Sequence, residues 1–420
     1  MATAYKDGLE DVIAARSAIC RVDGEAGRLY YRGYEIADLA ASVSFEDTTH
    51  LLWFGELPTA AERAVFATRM AEARPLPAPV LEMLRQLPRD CHPLDALRTA
   101  VSLAAAYDPD VRSNESEANL RKAYRLMNLV PAAVAAWQRI RTDREPEAPP
   151  RDGSHAASFL TMLDGREPSA EVARVLDVIL TLHADHEFNA STFAARVAVA
   201  TVADLHSAVV AAISTLKGPR HGGANEDVLA LLLEIGEPGR AEALVESCMG
   251  ARASLSKRDR ANPRTRMPGF GHRVYKVDDA RARVLRGMAK SMAEATGRGK
   301  LFEVAERLYD AMKARTTLPV NVDFFSAVVY DALGIPPDFC TSIFAVGRVA
   351  GWCAHIMEQY ADNRLIRPRA DYVGVPARRL RQIAAAAQDR VGTGSRSPAS
   401  LKPLRLSRQE SQRPHARPSG

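Results

Sequence analysis

One stretch, MPGFGHRVYKVDDAR at residues 267–281, holds the densest set of groups that could do chemistry. Gly269 and Gly271 let the backbone approach a ligand, and the imidazole of His272 can donate a hydrogen bond or a proton. Arg281 closes the stretch with a planar guanidinium that suits a carboxylate. Almost none of these side chains would serve a hydrophobic core. The stretch therefore predicts a ligand-binding loop, with a solvated loop as the alternative.

A second glycine-rich segment, KGPRHGGANED at residues 217–227, places His221 between a Gly-Pro turn and two glycines. Asn225 is a good N-cap, so a helix is expected to begin there. The dipole at a helix N-terminus favours the neutral form of a histidine. A neutral imidazole can donate a hydrogen bond to a developing enolate. The alternative is a turn with an incidental histidine.

Two histidines, His183 and His186, lie beside Asp185 and Glu187 in the string HADHEFN. On a helix the two imidazoles would share a face. They could bind a ligand, take part in catalysis, or simply end a polar helix. Two imidazoles can also ligate zinc, but no further ligand motif follows at a recognised spacing. We therefore expect no metal here.

A carboxylate and an arginine stand among apolar residues later in the chain. Asp323 lies between Val322 and two phenylalanines in NVDFFS, so partial desolvation should raise its pKa and make it a better general base near neutral pH. A strand-end or capping aspartate is the alternative. Arg348, in VGRVAGW, needs an anionic partner, either internal or a substrate. With the histidines these groups supply two donors, one base and several carboxylate clamps, which suit carbon–carbon bond formation next to a carbonyl.

The elements that must position these groups are expected to be helical almost throughout. Residues 18–34 have apolar positions on both sides of glycine turns and predict a short β-hairpin. A helix is expected at residues 45–54. The patterns that mark helix starts here and at the next helix are Ser44 with Asp47 and Thr59 with Glu62.

Three further segments constrain the helical pattern. Pro131 should kink or divide the alanine-rich helix of residues 119–141. Small side chains at residues 194–216 let helices approach closely, either in a core or in a subunit interface. LPVNVDFF should form a loop and a strand-like start before a helix.

The composition is that of a globular protein, because 47% of the 420 residues are apolar and 25% are charged. No run approaches the roughly 18 uninterrupted apolar residues of a membrane span, and the N-terminus has no signal-peptide pattern, so a cytoplasmic location is expected. Five scattered cysteines favour neither disulfides nor zinc. P-loop, GxGxxG and GxSxG patterns are absent from the sequence.

The net charge of +5 resides in the tail. From Gln388 onward seven Lys/Arg stand against two acids, so the tail accounts for the whole excess. A neutral body with a basic tail is a weak signal for nucleic acid, and no aromatic residues are interleaved. Neither a nucleic acid nor a membrane is expected as a partner.

Taken together, these motifs resemble the citrate synthase family, in its shorter bacterial type, which includes 2-methylcitrate synthases. The resemblance runs over about residues 8–374 and is carried most specifically by HADHEFNASTFAARV, GPRHGGANE, GFGHRVYK, NVDFFS and NRLIRPRADYVG. It implies a mainly all-α fold with a small N-terminal β-hairpin, and a homodimer. The implied domains are a large helical domain at 1–221 and 329–387, a small domain at 222–328 and a disordered basic tail at 388–420.

The resemblance also implies the roles of individual residues. His221 would stabilise the enol of the acetyl thioester while Asp323 removes the α-proton, and His272 would polarise the oxaloacetate carbonyl and protonate the new alkoxide. The implied ligands of oxaloacetate are His186, Arg281, Arg348 and, from the partner subunit, Arg367. The implied coenzyme A contacts are Gly269, Phe270, Gly271, Lys276 and Asn321. Citryl-CoA would then be hydrolysed, without a metal or a redox cofactor; acetyl-CoA and oxaloacetate are the substrates.

Three positions depart from the family pattern. Ala280 stands where a proline is usual, which could loosen the placement of Arg281. Arg220, before His221, replaces an apolar residue, and with Lys217 it could lower the pKa of His221 further or contact coenzyme A phosphates. Ala327 replaces a usual glycine.

Other functions remain open on the sequence alone. A 2-methylcitrate synthase would use propionyl-CoA, and a hydrophobic pocket separates substrates that differ by one methylene only by about 10 to 200-fold. A metal-dependent hydrolase would use His183, Asp185 and His186, and a non-catalytic paralogue would be a helical interaction module. The longer N-terminal domain found in NADH-regulated members of this family is missing from the sequence, so we expect no inhibition by NADH.

Overall fold

A computed structural model of the chain describes residues 5–10, 12–74, 76–150, 152–253 and 267–377. Lys6–Pro368 form one compact unit, and residues 369–377 have no regular secondary structure. The predicted basic tail from Gln388 lies outside the described residues. The predicted boundaries between large and small domains stay a prediction.

The N-terminal part forms the predicted hairpin. Strand β1 (Cys20–Asp23) pairs antiparallel with β2 (Arg28–Tyr31), which pairs with the short β3 (Tyr34–Glu35). Leu29 and Tyr31 are buried on one face of β2, as the alternation of a half-buried strand requires. The hairpin is thereby anchored to the helical core.

The rest of the described chain is helical, with short connections. The helices are α1 (Ile36–Ser42), α2 (Phe45–Phe54), α3 (Ala60–Glu72), α4 (Ala78–Gln86), α5 (Pro93–Ala105), α6 (Ser116–Arg141), α7 (His155–Asp164), α8 (Ala170–His183), α9 (Ala190–Val199), α10 (Leu205–Leu216), α11 (Ala224–Ile235), α12 (Ala241–Ala253), α13 (Ala280–Thr296), α14 (Gly299–Arg315), α15 (Val322–Ala332) and α16 (Cys340–Ala361). Short 3₁₀ turns occupy Asp7–Leu9, Pro238–Arg240 and Pro337–Phe339. The expected mainly helical architecture is present.

Local sequence signals set several helix ends. Both predicted helix starts are present, and each forms a capping box, at Ser44 with Asp47 and at Thr59 with Glu62. Pro131 lies inside α6, which continues through it, so of the two predicted outcomes the division of the helix was wrong. The tightly buried surroundings of α6 outweigh the loss of one backbone hydrogen bond.

Helix α16 is the central core helix and contacts α6, α8, α9 and α10. The segment Pro337–Ala361 is long and apolar enough to cross a membrane, but its apolar window is entirely buried within the protein. Gly347 and Gly351 let α16 approach the end of α8. A Cβ at Gly347 would lie 2.9 Å from the Leu180 carbonyl oxygen, and one at Gly351 would lie 2.1 Å from that of Ala184.

Candidate active site

The loop of residues 267–279 is held by two other parts of the chain. On one side it pairs with residues 319–321: the Gly271 N–H donates to the Pro319 carbonyl at 2.7 Å, and the Asn321 N–H donates to the Gly269 carbonyl at 3.0 Å. Gly269 has φ +79°, and a Cβ there would lie 2.6 Å from the Phe324 ring, so both the backbone conformation and the space require glycine. The loop is therefore bound along the segment that leads into α15.

On its other side the loop rests on the turn of the N-terminal hairpin. The Lys276 N–H donates to the Gly24 carbonyl at 2.9 Å. A Cβ at Gly24 would lie 2.4 Å from the Val274 carbonyl oxygen, so the turn can approach this closely only with glycine. The predicted hairpin thus helps to position His272.

His272 is held in one tautomer. Its Nδ1 accepts the backbone N–H groups of Val274 and Tyr275, each at 3.0 Å. The proton of the neutral ring must therefore lie on Nε2, which becomes a hydrogen-bond donor. Burial lowers the pKa of His272 to about 4, so the ring is neutral near pH 7.

Arg281 is fixed by its neighbour Asp279, at the start of α13. Asp279 is the N-cap and accepts the Arg281 N–H at 2.9 Å, while the guanidinium donates to both of its oxygens at 3.0 and 2.7 Å. Both residues are buried. Burial alone would raise the pKa of Asp279, but the charge of Arg281 outweighs it and the pKa is lowered. Ala280 does not leave Arg281 loose, because this bidentate pair sets its position.

The two histidines of HADHEFN do not share a helical face, because α8 ends at His183. Nδ1 of His183 lies 2.8 Å from the Ile179 carbonyl, and burial lowers its pKa to about 3. His186 lies beyond the helix, with its ring centroid 5.3 Å from that of His272, and its buried Nε2 has no hydrogen-bond partner among the described residues. The Tyr31 hydroxyl fixes this turn by bonding the Asp185 carbonyl at 2.8 Å and the Asp185 N–H at 3.0 Å.

Ligand atoms of His186, His272 and Asp279 come within 4.8 Å of one another, a spacing that could hold a metal. The chemistry of this set does not fit a cation. Asp279 is already neutralised by Arg281, and burial together with the positive charge of Arg281 lowers the pKa of His186 well below its usual range. A cation would meet the same repulsion. Asp185 of the proposed hydrolase set lies apart from this cluster and binds His355.

His221 lies before α11, whose N-cap is Gly223. Its Nε2 lies 2.8 Å from the Ser191 hydroxyl and accepts the Ser191 N–H at 3.3 Å. Because a backbone N–H can only donate, the proton of the neutral ring lies on Nδ1. Burial, with a smaller contribution from Arg348, lowers the pKa of His221 to about 3.

The expected N-cap role of Asn225 was wrong. Asn225 is buried in the first turn of α11, donates to Asp323 Oδ1 at 2.7 Å and accepts from the Ser326 hydroxyl at 3.1 Å. The prediction failed because the Asn225 side chain binds the carboxylate of Asp323, which is distant in the sequence, and does not bind the N-terminus of its own helix.

Asp323 lies in the first turn of α15, where the Asn321 side chain caps the helix by accepting the Asp323 N–H at 3.1 Å. Burial raises the pKa of Asp323 to about 7, although the positive charge of Arg281 opposes it. The rise expected from the apolar neighbours is present. Asp323 can therefore exchange a proton near neutral pH.

Arg348 is buried in α16 and donates through Nε to the His183 carbonyl at 2.6 Å. Its Nη1 is buried without a hydrogen-bond partner among the described residues. Burial lowers the pKa of Arg348 to about 10, so it stays charged at pH 7. The charge of Arg348 acts on His186, His221 and Asp323, and that of Arg281 on His186, His272 and Asp323. These six groups therefore form one electrostatically connected site.

The remaining predicted residues have different surroundings. Phe270 is buried against Phe324, with ring centroids 4.9 Å apart, and the Asn321 amide donates to the Gly271 carbonyl at 3.3 Å. The side chain of Lys276 is exposed. Arg367 is exposed in the segment after α16, which has no regular secondary structure, and no described residue forms a hydrogen bond or an ion pair with it. No contact among the described residues therefore joins Arg367 to the other site residues.

The suggested effect of Arg220 and Lys217 on His221 was wrong, because burial and Arg348 account for its lowered pKa. Arg220 is exposed, and Lys217 pairs with Asp95. Three residues support the site in roles that were not predicted: Ser191, Asn225 and Asp279. The Asp-Asp-Ala-Arg spacing could have indicated Asp279, but no sequence signal links Ser191 to His221.

The helical fold and this site are those of an acyltransferase family. A family model described as "Citrate synthase, C-terminal domain" matches residues 8–369, and the chain belongs to the citrate synthase family.

Individual relatives agree with this assignment. The chain is 45% identical to citrate synthase 2 of Bacillus subtilis over 87% of its length and 95% of the relative's, and 39% identical to 2-methylcitrate synthase 1 of Corynebacterium glutamicum over 89% and 97%. A solved citrate synthase from Thermoplasma acidophilum, in a ternary complex with carboxymethyl coenzyme A and oxaloacetate, superposes with a TM-score of 0.83 at 33% identity. The superposition covers 91% of this chain and 99% of the Thermoplasma chain.

Proposed function

We propose that the protein condenses acetyl-CoA with oxaloacetate and hydrolyses the resulting citryl-CoA to citrate and coenzyme A. The observation that carries this proposal is a buried carboxylate, Asp323, with its pKa raised to about 7, in one site with two imidazoles held neutral. The ternary complex of the Thermoplasma relative supports the choice of ligands.

The first step is removal of a proton from the α-carbon of the thioester. Asp323 takes this proton, and the C–H electron pair moves toward the thioester carbonyl, whose oxygen gains negative charge. His221 donates a hydrogen bond to that oxygen through Nδ1–H, whose direction is set by the Ser191 contact at Nε2. One such donor is worth about 3 to 4 kcal/mol in a preorganised site.

The second step forms the carbon–carbon bond. The α-carbon of this enolate attacks the keto carbon of oxaloacetate, and the π electrons of that carbonyl move onto its oxygen, which takes up a proton. Nε2–H of His272 is the donor for that oxygen, because Nδ1 is occupied by backbone N–H groups. Water then cleaves the thioester of citryl-CoA, and the sulfur leaves as the thiol of coenzyme A.

Two buried groups that lack a hydrogen-bond partner among the described residues suit a dicarboxylic keto acid. They are Nη1 of the charged Arg348 and Nε2 of the neutral His186. A substrate carboxylate would accept a hydrogen bond from Arg348 Nη1, and an unsatisfied buried donor is costly. Arg281, steered by Asp279, is the third ligand, and Arg367 of a partner subunit is the fourth, so the proposal includes a homodimer.

The thioester carrier would lie along the loop of residues 269–271, Lys276 and Asn321. Lys276 and Arg220 are exposed, so their charges are available to coenzyme A phosphates. The proposal includes a cytoplasmic location and needs no metal or redox cofactor.

The test is release of free thiol in the presence of oxaloacetate, with acetyl-CoA and propionyl-CoA compared at equal concentrations. A higher kcat/KM with acetyl-CoA is expected. A preference for propionyl-CoA would make the protein a 2-methylcitrate synthase, which its 39% identity to such a relative also allows. Turnover with neither thioester would contradict the proposal.

A further inference from the structure

Two buried groups of opposite charge interact electrostatically, but no salt bridge joins them among the described residues. Arg348 is 1% exposed and Asp185 is not exposed at all. The charge of Asp185 opposes the effect of burial on the pKa of Arg348, so the two groups interact. Yet Nη1 of Arg348 and Oδ1 of Asp185 each lack a hydrogen-bond partner among the described residues. A buried arginine would normally pair with such a carboxylate.

Other groups hold the Asp185 carboxylate in place. Nε2 of His355 lies 3.2 Å from both carboxylate oxygens and bonds Oδ2, which also accepts the Glu187 N–H at 3.1 Å. At Gly351 a Cβ would lie 2.6 Å from Oδ1, so the carboxylate lies directly against α16.

The ring of His355 is fixed so that it donates to Asp185. Nη1 of Arg196 lies 3.1 Å from Nδ1 of His355, and because arginine only donates, Nδ1 accepts. The proton of the neutral ring then lies on Nε2, facing Asp185. Arg196 is itself held by Glu358 at 2.7 Å and by Gln359 at 3.1 Å. A chain of hydrogen bonds thus runs from the half-buried Glu358 to the buried Asp185.

We propose that His355 is a positioning residue that keeps Asp185 bound away from Arg348, and so leaves Arg348 Nη1 free for a substrate carboxylate. This inference rests on the proposed function of Arg348 as an oxaloacetate ligand. Without His355, Asp185 would be free to turn toward the unsatisfied Nη1 of Arg348 and compete with the substrate. His355 would then act on binding of the keto acid and not on proton removal at the thioester.

The test is a double-mutant cycle on His355 and Asp185, with KM measured separately for each substrate. His355→Ala is expected to raise the KM for oxaloacetate about 10-fold, within the range of coupling between contacting groups, while the KM for acetyl-CoA and kcat at saturation change little. His355→Ala/Asp185→Asn should recover most of the loss, because a neutral amide no longer competes for Arg348. Asp185→Asn alone should leave the KM for oxaloacetate near that of the unchanged protein.

A purely structural role makes the opposite prediction. His355→Ala would then lower Tm and impair both substrates alike, and neutralising Asp185 would add a further defect instead of a recovery. An unchanged KM for oxaloacetate in His355→Ala, or a folded double variant without recovery, would overturn the inference.

Two further measurements keep the test decisive. His355→Gln retains an amide N–H that can bind Asp185, so its KM for oxaloacetate should rise less than that of His355→Ala. If the alanine variant does not fold, His355→Gln is compared with His355→Gln/Asp185→Asn, and the same outcomes apply. Failure of the proposed function can be distinguished from failure of this inference, because in the first case the unchanged protein would show no turnover with oxaloacetate.

Discussion

At the scale of single residues, the site contains one group that titrates near pH 7 and two that do not. Asp323 has its pKa raised to about 7, and His221 and His272 have theirs lowered to about 3 and 4. A general base must be unprotonated. We therefore expect kcat/KM for acetyl-CoA to rise with pH through a single ionisation near pH 7, measured between pH 5.5 and 8.5. A profile that falls with pH, or one flat across this range, would exclude Asp323 as the base.

The same group should lower the stability of the protein at alkaline pH. The folded state raises the pKa of Asp323 from 3.8 to about 7, so folding favours the protonated carboxyl, and stability from this group is lost as pH rises between those values. Asn cannot ionise and can still accept from Asn225. Asp323→Asn is thus expected to abolish turnover while stabilising the protein at pH 8, by about 1 to 4 kcal/mol at 1.36 kcal/mol per pKa unit.

Thermal unfolding at pH 8 and pH 5 measures this effect. The gain in Tm over the unchanged protein should shrink at pH 5, where Asp323 is largely protonated in the folded state. An equal gain at both pH values would mean that charge burial is not its cause.

The residues also show how far the sequence alone could go. Two phenylalanines beside Asp323 sufficed to predict its raised pKa, because desolvation is a local property. His221 was predicted to be neutral through a helix dipole, whereas burial and Arg348 are the causes. Arg348 lies far along the chain, and no pattern around His221 indicates it. The tautomers depend on Ser191 and on two backbone N–H groups, which only the fold brings into place.

At the scale of elements, short signals with nearby partners were predictable. The hairpin and both helix starts were predicted because turns and caps are local. The continuation of α6 through Pro131 was not predictable, since it depends on the buried surroundings of that helix. That the hairpin turn supports the loop of residues 267–279 was also beyond prediction, because it depends on contact between distant segments.

The start of α13 offers a test at this scale. Ala280 occupies the first helical position, where the N–H has no intrahelical partner and proline is favoured. Asp279 before it has φ −55° and ψ 131°, a conformation that a following proline permits. Ala280→Pro is therefore expected to stabilise the protein by about 0.4 to 1 kcal/mol.

The measurement is Tm together with the KM for oxaloacetate. Because Asp279 already fixes Arg281, that KM should stay unchanged. A clear fall in KM would show instead that alanine does loosen Arg281. Gly287→Ala, at an exposed site in the same helix with open space around a Cβ, is the matched control for a general change in helix propensity.

At the scale of the whole molecule, the site is assembled from segments that are far apart in sequence. Arg367, a predicted member of the site, has different surroundings. Residues from α8 to α16 meet through buried contacts, whereas Arg367 lies exposed in the segment after α16, which has no regular secondary structure. A long cationic side chain that forms no ion pair with any described residue is suited to a site on a second copy. The proposed homodimer would give Arg367 that partner.

Complementation between two inactive variants tests this arrangement. Asp323→Asn removes the base, and Arg367→Ala removes the arginine proposed to cross the interface. In a mixed dimer, one site carries both changes and the other carries neither, so one of its two sites should work. Co-expression with random pairing should then give about one quarter of the unchanged activity, since about half of the dimers are mixed.

Purification through two different tags isolates the mixed dimer, which should show about half the activity of the unchanged dimer on the same reasoning. Each variant expressed alone is the control and should be nearly inactive. If Arg367 served the site of its own chain, each chain of the mixed dimer would still lack one essential group. The mixed dimer would then be as inactive as its parents, and the proposal of a shared site would have to be withdrawn.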